Sequence, residues 1–285
     1  MNMIRITPED EIFPEELRNI NSSPKELYCI GNLNLFKNRK VAVVGSRKCT
    51  AYGKAVSQNL CRKLSASGIT VVSGLARGID RQAHIGALSG AGSTIAVMAT
   101  GIDKCYPISN MDLYNKIGKE GLIISENPPG YMCRKYDFPH RNRLISGLSE
   151  GIVVVEAPLR SGSLITAEKG AEQGRDVFAV PGNITSFFSM GCNSLIRDGA
   201  KAVSVLNDIF RDLNIEIPQG VVDVKNLGKD EKIVYDIIER KGESTAEYLY
   251  KSTGFEQPKL SGILTVLEMK GVITSSMGKF FVEKI

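Results

Sequence analysis

The chain has 285 residues, enough for one large domain and a small second one, and its 42% hydrophobic and 24% charged residues are ordinary for a folded protein. Six scattered cysteines and two histidines lack the short ligand spacing of a zinc site, and no apolar run reaches the roughly 18 residues of a membrane span. The net charge of +5 favours an anionic partner.

In chain order, residues 1–36 are predicted to be a short N-terminal extension interrupted by three prolines. Residues 37–212 alternate short apolar, β-branched runs with helix-length segments. Such runs suit strands that are buried on both faces, so we expect an α/β fold with a doubly wound, mostly parallel, Rossmann-like sheet. The predicted strands are Val41–Val44, Ile69–Val72, Thr94–Met98, Leu122–Ile124, Ile152–Val155 and Val177–Val180, with a further candidate at Ala202–Val205.

Residues 213–226 are predicted to be a linker, and residues 227–285 a small winged-helix domain. Three helices followed by a β-hairpin give that outline, with Gly242 and Gly254 ending the first two helices. This last segment carries nine basic and nine acidic residues, so the excess positive charge lies upstream of it.

The first segment that carries chemistry is Gly45-Ser46-Arg47, at the carboxyl end of the first buried strand. Glycine allows a close backbone approach, arginine suits phosphate, and the following helix contributes free amides. A plain turn with Arg47 in solvent is the alternative. The segment is not GxGxxG, so we expect no dinucleotide cofactor.

A second strand end leads to Asp80 and His84, which share a helix face. We favour a structural interpretation, with Asp80 as a cap and His84 as a packed, hydrogen-bonded residue. An acid/base pair is the alternative, but two residues without a nucleophile do not make a mechanism. We therefore predict no catalytic residues.

The third segment runs from Phe138 to Arg143 and includes His140, Arg141 and Asn142. It combines cations for phosphate with an aromatic face on which a base can stack. A helix is predicted over Asn142–Ser149. The alternative is a basic turn exposed to solvent, with Phe138 buried in the core.

The fourth segment, Ser161-Gly162-Ser163, follows another buried strand and feeds a helix N-terminus, an arrangement typical of anion binding. Several such loops along one sheet edge suit a polyanion better than a single nucleotide. We therefore predict a site for single-stranded nucleic acid.

These motifs resemble those of the DNA-processing protein A (DprA, or Smf) family from about Tyr28 to Ala202. The resemblance rests on Val-Gly-Ser-Arg at 44–47, Ser-Gly-Leu-Ala-Arg-Gly-Ile-Asp at 73–80, Phe-Pro-His-Arg-Asn-Arg at 138–143 and Ser-Gly-Ser-Leu-Ile-Thr-Ala at 161–167. It implies a cytoplasmic, non-enzymatic protein of natural transformation that binds and protects single-stranded DNA. It also implies a homodimer formed through the Rossmann-like domain, and help in loading the RecA recombinase. The family's basic pocket falls on Ser46, Arg47 and the 138–143 segment.

Two other hypotheses remain open at this point. The loop at Ser161–Ser163 resembles the phosphate-binding turn of nucleoside-monophosphate glycosidases, for which Glu168 would be the candidate carboxylate. Such chemistry usually requires two well-placed carboxylates, and no partner for Glu168 is evident. A DNA-interacting regulator that acts through the winged helix is the other hypothesis.

Overall fold

The computed structural model describes residues 2–216, 227–269, 272–276 and 278–282. Their contacts divide them into two compact units: residues 2–204 with 208–216, and residues 205–207 with those from 227 onward. Most of the linker predicted over 213–226 lies outside the described residues, as do residues 270, 271, 277 and 283–285 of the predicted winged-helix domain. No helix in the described ranges is long and apolar enough to cross a membrane.

Nine strands of the first unit form one sheet, in the order β1-β2-β6-β5-β4-β3-β7-β8-β9. Their bounds are β1 Met3–Ile6, β2 Leu27–Gly31, β3 Lys40–Val44, β4 Thr70–Ser73, β5 Thr94–Met98, β6 Leu122–Ser125, β7 Gly151–Val154, β8 Asp176–Ala179 and β9 Lys201–Ala202. All neighbours from β6 to β9 are parallel, and β1, β2 and β6 pair antiparallel.

Helices connect these strands. Their bounds are α1 Glu15–Arg18, α2 Ala51–Ala66, α3 Ile79–Ala87, α4 Met111–Glu120, α5 Asp137–Gly147, α6 Gly162–Glu172, α7 Met190–Arg197 and α8 Asn207–Asp212, with short 3-10 turns at Leu33–Lys37 and Ile108–Asn110.

The sheet is covered on both faces, because successive side chains of a strand point to opposite sides. On β5, Val97 packs in a core cluster with Leu144 of α5, whereas Ala96 packs in another cluster with Leu113 of α4. Burial on both faces explains why these strands are continuous apolar runs. The predicted fold class, a mostly parallel Rossmann-like sheet with a second small domain, is confirmed.

The N-terminal segment differs from the extension predicted over 1–36, because it supplies two strands of the sheet. β2 pairs with β6 through Tyr28 opposite Ser125, and Leu27 is fully buried. Nζ of the buried Lys40 lies 2.9 Å from Oε1 of Glu16, which ties the segment to β3. The sheet therefore begins at Met3 rather than at residue 40.

The strand order reverses between β3 and β7. The chain proceeds from β3 through β4 and β5 to β6 in one direction, then returns to place β7 beside β3 and continues to β8 and β9. Ligands of open α/β sheets bind in the crevice at this switch point, beyond the carboxyl ends of the strands. The loops after β3 and β7 therefore bound the expected site.

The second unit contains α9 Lys229–Lys241, α10 Ala246–Thr253 and α11 Gln257–Met269, with the strands β10 Ser244–Thr245, β11 Ile273–Ser276 and β12 Lys279–Val282. The strands form an antiparallel sheet in the order β10-β12-β11. Gly242 and Gly254 end α9 and α10 with positive φ angles, as predicted. The unit has its own apolar core, which includes Val234, Leu249 and Leu267.

Candidate functional site

A cavity of about 750 Å³ opens at the switch point of the sheet. Its volume lies within the range of small-ligand pockets, roughly 300–1,000 Å³. Most of the residues predicted from sequence line it: Gly45, Ser46, Arg47, Phe138, Arg141, Asn142, Ser161, Gly162 and Ser163. The structure thus brings together three segments that are spread over more than a hundred residues of the chain.

The predicted segment from Phe138 to Arg143 lies within α5, which begins at Asp137 rather than at Asn142. Phe138, Arg141 and Ile145 line the cavity because residues three and four apart lie on one helix face. His140 and Arg143 point elsewhere, since a step of two residues turns a helix by about 200°.

Arg143 is the main difference from the predicted site. It is only 6% exposed, and its Nη2 donates to Oε1 of Glu126 at 2.6 Å. His140 lies beside this pair, with Nε2 3.6 Å from Oε2 of Glu126. Neither side chain lines the cavity, so Arg143 holds the loop after β6 to α5 instead of presenting its charge to a ligand there.

Arg141 forms the floor of the cavity. Its Nη1 donates to the carbonyl oxygen of Gly74 at 2.9 Å and to that of Val97. A Cβ at position 74 would lie 2.6 Å from Nη2 of Arg141, so the guanidinium in its present position depends on the absence of a side chain there. Burial lowers the pKa of Arg141 to about 10, and the neighbouring charge of Asp80 opposes this shift. The side chain therefore remains cationic at neutral pH.

One wall combines aromatic and cationic groups. Cζ of Arg47 lies 5.0 Å from the centroid of the Phe138 ring, a cation–π arrangement. The Phe138 ring is in turn 5.6 Å from that of Tyr106, which is half exposed. Phe138 is itself partly exposed, so its ring is available at the cavity.

The loop that carries Arg47 is held by Glu156, which is buried beside the first turn of α2. Its Oε2 accepts from the amide of Thr50 at 2.9 Å and its Oε1 from the Thr50 hydroxyl at 2.5 Å, while its carbonyl oxygen accepts from the Ser46 amide at 2.7 Å. Glu156 therefore occupies the α2 N-terminus, the position at which a Rossmann-type sheet binds phosphate. An incoming anion must use other donors.

The N-terminus of α6 supplies such donors. Ser161 caps the helix, accepting from the amide of Ser163 at 3.4 Å, and the two hydroxyl oxygens are 2.7 Å apart. Nδ2 of Asn142 donates to the carbonyl oxygen of Gly162 at 3.2 Å, which joins α5 to this turn. The first turn of α6 holds no acidic residue, so its positive dipole end faces the cavity uncompensated.

The cavity is strongly cationic. Within the described ranges its lining includes five cationic side chains and one carboxylate: Arg47, Lys48, Lys135, Arg141 and Arg160, with Asp80. A cleft lined by one sign of charge concentrates counter-ions of the opposite sign. Arg160 and the ring pair Phe187–Phe188 were missed from the sequence. The adjacent phenylalanines in a polar loop were the available signal.

His84 is buried and hydrogen-bonded, as expected, but Asp80 is not a helix cap: the N-cap residue of α3 is Gly78, and no side chain caps that helix. Asp80 instead binds the loop that precedes α3. Oδ2 of Asp80 accepts from the amides of Gly74 and Ala76, at 3.2 and 3.4 Å. Nε2 of His84 accepts from the Leu75 amide at 3.3 Å, and Nδ1 lies 2.7 Å from the Thr94 hydroxyl. Burial lowers the pKa of His84 to about 3, which keeps the ring neutral.

Glu168, the candidate carboxylate of a glycosidase, is exposed on α6 and does not line the cavity. Glu156 is committed to Thr50. The two-carboxylate arrangement of that chemistry is thus not formed by these residues. Across the described ranges, no cluster of three or more His, Cys, Asp or Glu side chains is placed to hold a metal ion.

Known proteins and solved structures are similar to most of this chain. DNA processing protein DprA of Streptococcus pneumoniae is 46% identical over 203 residues, which cover 71% of this chain and 72% of that protein. A crystal structure of the S. pneumoniae protein matches with a TM-score of 0.71 at 44% identity, covering 76% of each chain. A structure of the Helicobacter pylori protein, described for its single-stranded DNA binding mode, matches with a TM-score of 0.69 at 30% identity, covering 74% of this chain and 97% of that one.

The family model described as DNA recombination-mediator protein A matches residues 4–214, which is nearly all of the first unit. The resemblance inferred from the motifs is therefore confirmed. The chain belongs to the DNA recombination-mediator protein A family.

Proposed function

We propose that this protein is a cytoplasmic, non-enzymatic protein of natural transformation and recombination that binds single-stranded DNA in the cavity at the switch point. The observation that carries the proposal is the lining of that cavity, where cationic side chains and the α6 N-terminus, whose first turn holds no acidic residue, accompany the partly exposed ring of Phe138. Phosphate requires the first two and a base the third. The single-stranded DNA binding mode described for the H. pylori relative supports it.

Within this proposal, Arg47, Lys135 and Arg160 contact phosphates, Arg141 supplies a fixed positive charge from below, and Phe138 stacks on a base. Gly45 and Gly162 allow the strand close to the backbone, and Ser46, Asn142, Ser161 and Ser163 complete the polar lining. His140 and Arg143 are not assigned contacts at the cavity, because both lie outside it.

Membership of the family supports the remaining parts of the proposal. These are protection of incoming DNA, help in loading the RecA recombinase, and formation of a homodimer through the Rossmann-like domain. A winged-helix architecture for the second unit, which the family model does not cover, is supported by its three helices and antiparallel sheet. Sedimentation of the full chain tests the dimer. Assembly of recombinase filaments on protein-coated DNA tests the loading.

The binding site is tested by titrating a labelled oligo-dT with the full chain across a salt series. Arg47→Ala is expected to weaken binding by about tenfold, the size of one charge-assisted hydrogen bond, and to reduce the salt slope by about one. Arg5→Ala is the matched control, since it removes the same charge from β1, outside the cavity. If both variants bind as the parent does, this assignment is wrong.

A further inference from the structure

Phe187 is an exposed aromatic residue on the loop between β8 and α7. The residue is 63% exposed, although phenylalanine is a residue type that proteins usually bury. It lines the cavity together with Phe188, and the two rings form an edge-to-face pair with centroids 5.6 Å apart. A large apolar face is thus presented to solvent beside a cationic cleft.

The loop that carries this ring is held in place by hydrogen bonds. The carbonyl oxygen of Phe188 accepts from the amide of Ala157 at 2.8 Å. The Asn193 side chain bonds both backbone groups of Gly182, accepting from its amide at 3.2 Å and donating to its carbonyl oxygen at 3.0 Å. The backbone of the loop is therefore anchored near Phe188 and at Gly182, which places Phe187 beside the cavity.

The rings of Phe187 and Phe138 lie on opposite sides of the cationic groups that line the cavity. Phe138 packs on Arg47, which follows β3, whereas Phe187 follows β8. Between β3 and β8 lies β7, whose following loop carries Arg160 and the α6 N-terminus. In sheet order the cavity thus presents an aromatic ring, then phosphate-binding groups, then a second aromatic ring.

We propose that Phe187 is a second base-stacking site for single-stranded DNA, at the β8 end of the cavity. The inference rests on the proposed function and extends it. A strand whose phosphates lie over Arg47 and the α6 N-terminus has bases on both sides of them, and every base has a face that can stack on a phenyl ring. The site takes a base of any identity, because stacking needs no hydrogen-bond pattern.

The first test compares two probes of equal length, oligo-dT and an oligonucleotide made only of abasic sites. Phe187→Ala is expected to weaken oligo-dT binding by about 5- to 150-fold, the range of one lost base–aromatic stack, and to leave abasic binding unchanged. Ile184→Ala is the control, since Ile184 is 85% exposed on the same loop but does not line the cavity.

The second test uses fluorescence. The natural chain contains no tryptophan, so Phe187→Trp introduces a single indole whose emission is expected to be quenched by oligo-dT and not by the abasic probe. Ile184→Trp should show no quenching with either probe. The Phe187→Trp variant is also expected to bind oligo-dT at least as tightly as the parent.

The outcomes separate the two proposals. Parent-like binding of oligo-dT by Phe187→Ala, or equal loss of both probes, overturns the stacking site while leaving the DNA-binding cavity standing. A change of oligomeric state in Phe187→Ala, without a change in oligo-dT affinity, assigns the ring to a protein interface and likewise overturns it. Failure of the parent to bind either probe overturns both.

Discussion

Arg141 and Arg143 are two residues apart on α5, and their side chains point in different directions and contact different groups. Arg141 is bonded to backbone carbonyls beneath the cavity, whereas Arg143 is paired with Glu126 away from it. Removing Arg143 leaves the Glu126 carboxylate, whose side chain is only 25% exposed, without its cation. We therefore expect Arg143→Ala to lower the free energy of unfolding by about 1–3 kcal/mol. Urea denaturation measures this change.

The same variant is expected to keep oligo-dT binding near that of the parent under conditions where it is folded, in contrast to Arg47→Ala. Arg197→Ala is the stability control, because its pair with Asp198 is exposed and contributes little. A large loss of DNA affinity in Arg143→Ala with unchanged stability would place that side chain in the interface after all.

The buried His84 makes the free energy of unfolding depend on pH. Its folded pKa of about 3, lowered chiefly by burial and further by the charge of Arg141, lies below the ordinary value of 6.5. Its contribution is therefore complete above pH 6.5 and is lost as the pH falls toward 3, since only the unfolded chain takes up the proton. The loss between pH 6.5 and 4.5 is about 2–3 kcal/mol.

Denaturation of the parent and of His84→Gln at pH 7.5, 6.0 and 4.5 measures that term. A glutamine side chain cannot titrate, so the free energy of unfolding of this variant should decrease less on acidification than that of the parent. Parallel pH curves for the two proteins would show that the ring is not held neutral.

At the scale of elements, the parallel strands were predictable because burial on both faces makes each a short apolar, β-branched run. The start of α5 was not. The helix was predicted to begin at Asn142, but it begins at Asp137 and includes Pro139. Proline is tolerated in the first turn of a helix, where its missing N–H has no partner to lose. β1 was also missed, because most of its residues are exposed and it lacks a continuous apolar run.

Some residues of the site could be predicted from the sequence and others could not. The loops at the strand ends could be located in advance, because small and polar residues follow each apolar run. The orientation of Arg143, which points away from the cavity, could not be predicted, because it depends on the helix beginning at Asp137. The adjacent phenylalanines at 187 and 188 mark an unusual polar loop, but the sequence does not show that Phe187 meets the cavity. The path of this loop depends on contacts with Ala157 and Asn193.

The contact between the loop after β3 and Glu156 is predicted to stabilise the N-terminus of α2. Glu156→Ala removes the acceptor of two bonds from Thr50 and should lower the free energy of unfolding by about 1–3 kcal/mol. Glu156→Gln retains an oxygen that can accept from the Thr50 amide, so its loss should be smaller. Thermal or urea denaturation checks both, and equal stability of the three proteins would contradict this role.

At the scale of the whole molecule, the cavity belongs entirely to the first unit, and the second has its own core. The segment from residue 227 has equal numbers of acidic and basic residues, so it offers little electrostatic attraction to a nucleic-acid backbone. A chain ending at residue 226 is therefore expected to bind oligo-dT within about twofold of the parent.

Titration of the two chains at matched salt measures this. A tenfold or greater loss in the shortened chain, with its fold intact by circular dichroism, would show that the C-terminal unit contributes directly to single-strand binding. The hypothesis of a regulator acting through that unit predicts such a loss.

The two edges of the nine-stranded sheet constrain how copies of this chain can associate. One edge is β1, four residues long with Arg5 in it, and the other is β9, two residues long and beginning with Lys201. Short, charged edge strands offer few backbone hydrogen bonds to a neighbouring chain. Sheet extension is therefore a poor route to a dimer, and a homodimer of this domain would be held by side chains on its helices and loops. For the same reason, these two edges offer little template for amyloid-like growth from this sheet.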